Sequence, residues 1–286
     1  MTTRTIDPFV STDWLQDHLD DGLVVIDLRL DEQYEAGHIP GAISEPFSLI
    51  SAWADSGELI LELPPVAELL KSIGGCGMTA ASRVVLVGPT PEPGNPPYAL
   101  ADPVRVAATL IYAGVKNVAV LAGGHAKWAA EGREVETTPN EPAPVPYDSP
   151  VDGGTWISTQ YVKDHLGKAV LVDGRDPDVY FGVSIEEVFA DMRGHIPTAR
   201  CLPAVWVWEA DGTYKPVGVI ESMAAGVVGR DKGREVITYC GAGGYAALWW
   251  YLLTQLLGYE NVKIYDGSME AWVDEGNTNV AYSWTE

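Results

Sequence analysis

Val236-Ile237-Thr238-Tyr239-Cys240-Gly241-Ala242-Gly243-Gly244-Tyr245-Ala246 runs from an apolar β-type segment, through one cysteine and a glycine-rich loop, to the edge of a helix-like segment at 247–257. Strand, loop and helix in that order form the unit of α/β sheets, whose ligands gather beyond the carboxyl ends of the strands. Cys240 falls at such an end. A free cysteine titrates near about pH 8.5, and loop N–H groups together with a helix N-terminus pull it lower. Glycines let the loop curl so that successive N–H groups converge on one anion. The stretch reads as the seat of a reactive thiolate, Cys240, cradled by Gly241, Ala242, Gly243, Gly244, Tyr245 and Ala246.

The chain around this stretch is written twice. Ser11-Thr12-Asp13-Trp14-Leu15-Gln16-Asp17-His18-Leu19 returns as Ser158-Thr159-Gln160-Tyr161-Val162-Lys163-Asp164-His165-Leu166, and Val24-Val25-Ile26-Asp27-Leu28-Arg29 as Val170-Leu171-Val172-Asp173-Gly174-Arg175. Gly37-His38-Ile39-Pro40 returns as Gly194-His195-Ile196-Pro197, and Val84-Val85-Leu86-Val87-Gly88 as Val236-Ile237-Thr238-Tyr239-Cys240. Gly123-Gly124-His125-Ala126-Lys127-Trp128 parallels Asp266-Gly267-Ser268-Met269-Glu270-Ala271-Trp272. Elements repeated in one order indicate two copies of one domain. Helix-like 12–19 alternates with strand-like 23–27, 83–88 and 117–121, which predicts in each copy a mostly parallel sheet with helices on both faces. Residues 1–136 and 151–286 form the two copies, and the proline-rich 137–150 between them predicts an extended, semi-rigid connector.

Bulk properties narrow the function. The 286 residues suffice for two ordinary domains, and 47% hydrophobic with 20% charged residues is a globular composition. A net charge of −22, with Lys and Arg numbering 18 in all, argues against nucleic-acid binding. Anionic substrates must be attracted locally, against the field of the whole molecule. Cys76, Cys201 and Cys240 show neither a disulfide framework nor metal-ligand spacing, so no metal or cofactor is expected and a reducing compartment fits. No apolar run approaches transmembrane length, so no membrane partner is expected. The N-terminal residues lack an apolar signal core, and if they are the native start the location is cytoplasmic.

The Asp-x-Arg after an early strand, the Gly-His-Ile-Pro, the Cys-Gly-x-Gly loop and the Tyr-Asp-Gly-Ser near the end together resemble the rhodanese family, in its tandem form of thiosulfate and 3-mercaptopyruvate sulfurtransferases. The resemblance covers nearly the whole chain and implies two rhodanese-like α/β domains, the first catalytically silent and the second carrying the catalytic cysteine. Gly88 stands where Cys240 stands, and the proline-rich 89–97 after it lacks N–H groups for an anion. The implied activity moves a sulfane sulfur from a small donor, thiosulfate or 3-mercaptopyruvate, to a thiol or cyanide acceptor through a Cys240 persulfide. The alternative is a sulfur-carrier or binding module serving a protein acceptor.

Departures from the family pattern concern the substrate. Thiosulfate-preferring members carry basic residues inside the loop, and this loop has none. Mercaptopyruvate-preferring members continue the loop with Val-Thr where Gly244-Tyr245 stand here. Their two substrate arginines fall on Val179 and Val188, with Glu186 and Glu187 close by, and Arg193 is a shifted candidate replacement. A cysteine phosphatase needs an arginine six positions after the cysteine, where Ala246 stands.

Other conspicuous residues take structural readings. Asp27/Arg29 and Asp173/Arg175 read as buried ion pairs behind the loops, with Arg175 also a candidate substrate contact that adds positive potential beneath Cys240. His18, His38, His125, His165 and His195 all belong to repeat elements, and a silent copy needs no catalytic base. Trp249-Trp250-Tyr251 read as a core face, Cys76 and Cys201 as core cysteines, and Trp206-x-Trp208 as strand-like alternation.

Overall fold

The computed structural model describes residues 4–89, 97–185 and 192–282. The chain divides into two compact units. One comprises Met1–Asp55, Leu63–Asp152 and Trp208–Tyr214; the other comprises Ser56–Glu62, Gly153–Val207 and Lys215–Glu286. The boundary read from the repeat passes once through the connector. The compact units cross it twice more, because a short segment of each copy belongs to the unit of the other.

The first unit contains β1 (Phe9–Val10), α1 (Thr12–His18), β2 (Val24–Asp27), α2 (Asp31–Ala36), β3 (Ile43–Ser44), α3 (Val66–Gly75), β4 (Arg83–Val87), α4 (Asp102–Tyr112), β5 (Asn117–Leu121) and α5 (Gly124–Ala130). The second repeats the order with β6 (Trp156–Ile157), α6 (Thr159–His165), β7 (Val170–Asp173), α7 (Pro177–Tyr180), β8 (Arg200–Cys201), α8 (Val217–Val227), β9 (Val236–Tyr239), α9 (Gly244–Tyr251), β10 (Val262–Tyr265) and α10 (Ser268–Asp274). Each unit holds a five-stranded parallel sheet, in the order β1-β5-β4-β2-β3 and β6-β10-β9-β7-β8. The expected sheets flanked by helices are thus present in both copies. Central strands buried on both faces favour apolar runs, which Val-Val-Leu-Val supplies in β4; in β9, Val-Ile-Thr-Tyr includes Thr238, whose buried Oγ1 donates to Ala246 O at 3.0 Å.

Matching details show why the repeat folds alike. Ser11 and Ser158 cap α1 and α6 by accepting the N–H of Trp14 and Tyr161 at 3.1 and 3.4 Å. At the other ends of these helices His18 and His165 stack on Trp14 and Tyr161, and each Nδ1 lies 2.7 Å from the aromatic residue's carbonyl. A carbonyl only accepts, so each Nδ1 carries the hydrogen. His38 and His195 stack likewise on Tyr34 and Tyr180, with Nδ1 2.9 Å from the carbonyl. These rings brace the chain.

The connector forms neither helix nor strand, yet it is held to the first unit. Val145 N–H donates to Gly74 O at 2.9 Å and Tyr147 Oη to Ala113 O at 2.7 Å. A Cβ on Gly74 would lie 2.5 Å from Val145 O, so only glycine admits the connector there. Trp206 and Trp208 do not alternate along a strand. Ala204–Val207 is a 3₁₀ turn that leaves Trp206 51% exposed, while Trp208 is buried within the first unit. No helix among the described residues is long and apolar enough to cross a membrane.

Candidate active site

Cys240 sits one residue beyond β9, level with the ends of its neighbours: Asp173 of β7 pairs with Tyr239, and Ile264 of β10 with Thr238. Its side chain is 4% exposed. The loop is held by the start of α10. Met269 N–H donates to Cys240 O at 3.0 Å and Glu270 N–H to Gly241 O at 3.1 Å. Within a planar peptide the following N–H is antiparallel to the carbonyl, so these bonds turn the N–H groups of Gly241 and Ala242 away from α10. Gly243 N–H donates to Cys240 Sγ at 3.1 Å. Gly243 has φ +96°, and a Cβ there would also lie 3.3 Å from Asp266 O, so this position requires glycine.

The helix begins earlier than its pattern suggests. Gly244, Tyr245 and Ala246 form the first turn of α9, and the first intrahelical bond runs from Ala247 N–H to Gly243 O at 3.0 Å. Helix geometry points the preceding N–H groups out of the end that faces the cysteine loop. The Tyr245 side chain is buried, and its Cβ would lie 3.3 Å from a Cβ on Gly174, so Gly174 lets α9 approach the end of β7. Past Tyr251 the helix widens to a π turn, Leu252–Leu256. Thr254 Oγ1 donates to Trp250 O at 2.8 Å, and Leu257 N–H reaches back five residues to Leu252 O at 2.9 Å. Trp249, Trp250 and Tyr251 are buried, as a core face requires.

Ser268 is a participant that its repeat position alone did not reveal. Its Oγ accepts Cys240 N–H at 3.2 Å and donates to Tyr265 O at 2.9 Å. It holds φ +49°, and Gly124, its counterpart in the first copy, holds φ +57°. A serine in a left-handed conformation that its twin fills with glycine is strained for a purpose. The exchange of glycine for serine between copies was the signal available.

Arg175, the candidate substrate contact, is bound into the fold beside β7. It is 1% exposed; Nε and Nη2 bind the Asp173 carboxylate, and Nη1 and Nη2 donate to Met192 O and Gly194 O at 2.8 and 2.6 Å. The guanidinium ties β7 to the chain entering β8, the place Arg29 holds with Asp27 and Gly37 O in the first copy. Arg193 is exposed, and its carbonyl accepts from Asn279. Val179 is buried in α7. Val188, Glu186 and Glu187 lie outside the described residues, as does most of 89–97.

The other cysteines are unsuited to nucleophilic work. Burial pushes the Cys76 thiol well above its ordinary range, and the thiol donates to Glu45 Oε1 at 3.4 Å. Burial and the Asp173 charge push Cys201 up to about 12. In the first copy, a Cβ on Gly88 would lie 2.3 Å from Pro103 Cγ, so Pro103 fills the place a cysteine side chain would need.

The rhodanese-like domain profile matches residues 11–131 and 158–275, and the chain belongs to this family in its tandem form. It is 31% identical over 277 residues, spanning 92% of both chains, to "Sulfur carrier protein TtuD" of Thermus thermophilus. It is 32% identical over 276 residues, spanning 94% of this chain and 92% of the other, to "Putative thiosulfate sulfurtransferase" of Saccharopolyspora erythraea. Among solved structures, the anaerobic ergothioneine biosynthesis enzyme of Chlorobium limicola, in complex with trimethyl histidine, superposes with a TM-score of 0.80. That match has 23% identity and covers 96% of this chain and 70% of the other, a likeness of fold. One relative is thus a sulfur carrier by name and the other a putative sulfurtransferase, and this chain shares their rhodanese-type sulfurtransferase family.

Proposed function

We propose that this chain moves a sulfane sulfur from a small donor, thiosulfate or 3-mercaptopyruvate, to a thiol or cyanide through a persulfide on Cys240. The observation that carries the reading is Cys240 Sγ at a strand end, accepting Gly243 N–H at 3.1 Å beside the first turn of α9. The thiolate attacks the outer sulfur of thiosulfate, an S–S bond forms to Cys240, and the old S–S bond breaks with its electron pair leaving on sulfite. With 3-mercaptopyruvate the C–S bond breaks instead, and the enolate takes the thiol proton to become pyruvate. The persulfide anion is held by the amides that held the thiolate, so the second half-reaction starts from a prepared site. An acceptor thiolate or cyanide then attacks the outer sulfur and returns Cys240 as thiolate.

The first copy is catalytically silent in this reading, because Pro103 occupies the volume a cysteine at position 88 would enter. The test is intact mass after incubation with each donor, for the wild-type chain and Cys240→Ala. A gain of one sulfur atom by wild type and none by the variant is expected. No gain by wild type with either donor, with Cys240 in its reduced form, overturns the proposal for those donors.

A second reading, a sulfur carrier serving a protein acceptor, is favoured by Val179 at a family arginine position and by a loop without basic residues. It predicts fast transfer from the loaded chain to a protein partner and slow transfer to small thiols. Equal rates with small thiols alone would count against it.

A further inference from the structure

Ser56–Glu62 lies in the first copy by sequence but belongs to the second unit, where it forms a strap beside Gly243 and the start of α10. Ile60 N–H donates to Glu270 Oε2 at 3.0 Å, and Leu61 N–H to Ser56 Oγ at 3.2 Å. Leu61 holds φ +60°, a left-handed conformation that costs a leucine energy and persists only where its surroundings impose it. The Leu61 carbonyl oxygen lies 4.0 Å from where a Gly243 Cβ would stand, and Leu59 Cδ1 lies 3.2 Å from the equivalent point on Gly267. Glycines on the loop and at the start of α10 thus leave room for the strap.

Glu270 joins the two pieces. Its backbone N–H holds Gly241 O, and its half-buried carboxylate is held by the strap. Counting back from the paired Trp128 and Trp272, its counterpart in the first copy is Ala126, so the feature is absent from the silent copy. The contrast separates Glu270 from Asp173 and Arg175, which both copies share and which serve the fold. Burial and the Asp274 charge raise the Glu270 carboxyl, while the Ile60 N–H favours its ionised form.

We propose that Glu270 is a positioning residue for the Cys240 loop, with the strap Ser56–Glu62 as its anchor. Holding α10 by its third side chain fixes the peptide after Gly241, and with it the direction of the Ala242 N–H. The inference rests on Cys240 being the sulfur-accepting residue, but its test is separable. A carboxylate acting only as a nearby negative charge disfavours the thiolate, so removing that charge lowers the thiol pKa. A carboxylate that orients the amides favours the thiolate, so removing it raises the pKa. The two roles have opposite signs.

The experiment follows alkylation of Cys240 by iodoacetamide against pH, read by peptide mass on the full chain, alongside the rate of sulfur gain from thiosulfate. Glu270→Ala is expected to raise the apparent thiol pKa by about one unit, tenfold in the thiolate equilibrium. Sulfur gain is expected to slow by about tenfold. Glu270→Gln keeps an oxygen to accept the Ile60 N–H and is expected to rescue both readouts to within about twofold of wild type. Ile60→Pro removes the donor while leaving the carboxylate, and is expected to behave like Glu270→Ala. An unmoved or lowered pKa in Glu270→Ala overturns the proposal, as does Glu270→Gln raised as far as Glu270→Ala. If wild type alkylates normally yet gains no sulfur, the sulfurtransferase reading fails, and the alkylation profiles still decide the role of Glu270.

Discussion

Ser268 shows how one side chain turns a strained backbone to use. Ser268→Ala keeps φ +49° and loses both Oγ bonds, so a loss of about 1–3 kcal/mol is expected. Ser268→Gly loses the same bonds but relieves the strain, as Gly124 does in the first copy, so it is expected to be more stable than the alanine variant. Both should load sulfur about tenfold more slowly, because Cys240 N–H loses its acceptor. Urea midpoints and the rate of mass gain check the order, and an alanine variant more stable than the glycine variant would contradict the strain argument. Cys240 was legible in the sequence because a glycine loop and a mismatch between copies both mark it. Glu270 was not, since its partner Ile60 lies 210 residues away and no local pattern signals a bond across that distance.

Among elements, the residue that leaves β4 is Gly88 and the one that leaves β9 is Cys240. Gly88→Cys in a Cys240→Ser background is expected to gain no sulfur by intact mass, and to lose about 1–3 kcal/mol from overpacking against Pro103. A gain of sulfur there would mean that the first copy lacks only its thiol. His125, at the start of α5, donates its N–H to Gly88 O, as Met269 donates to Cys240 O. Burial and the neighbouring Arg29 lower its pKa to about 4, and its Nε2 is buried without a hydrogen-bond partner among the described residues. A depressed pKa means that the unfolded chain binds the extra proton first. The stability is full above the unfolded value near about 6.5 and is lost as pH falls towards about 4. His125→Gln should flatten that acid limb in urea titrations between these limits, and an unchanged slope would show that His125 does not titrate there. Helix 12–19 and strands 23–27, 83–88 and 117–121 were legible to within a residue, because buried strands need Val and Ile runs and Ser11 marks a helix start. The early onset of α9 was hidden by Gly243, whose left-handed φ starts the helix where its composition looks like loop.

Across the whole molecule, a charge of −22 opposes the approach of an anionic donor. Sulfur gain from thiosulfate should therefore quicken as salt rises from about 0.01 to 0.15 M, over which the Debye length shrinks from about 30 to 8 Å. A rate that falls with salt would point to a local positive site near Cys240. Mass gain in stopped samples across a salt series measures it. The composition of the two units has a different kind of consequence, for the life of the chain before it is finished. Tandem domains ordinarily complete themselves in order as they leave the ribosome. Here the first unit includes Trp208–Tyr214, so it stays unfinished until most of the polypeptide has been made, and the second waits on nothing but itself because Ser56–Glu62 has long since emerged. A nascent chain stalled in the connector would therefore lack Trp208–Tyr214, the last piece of its first unit.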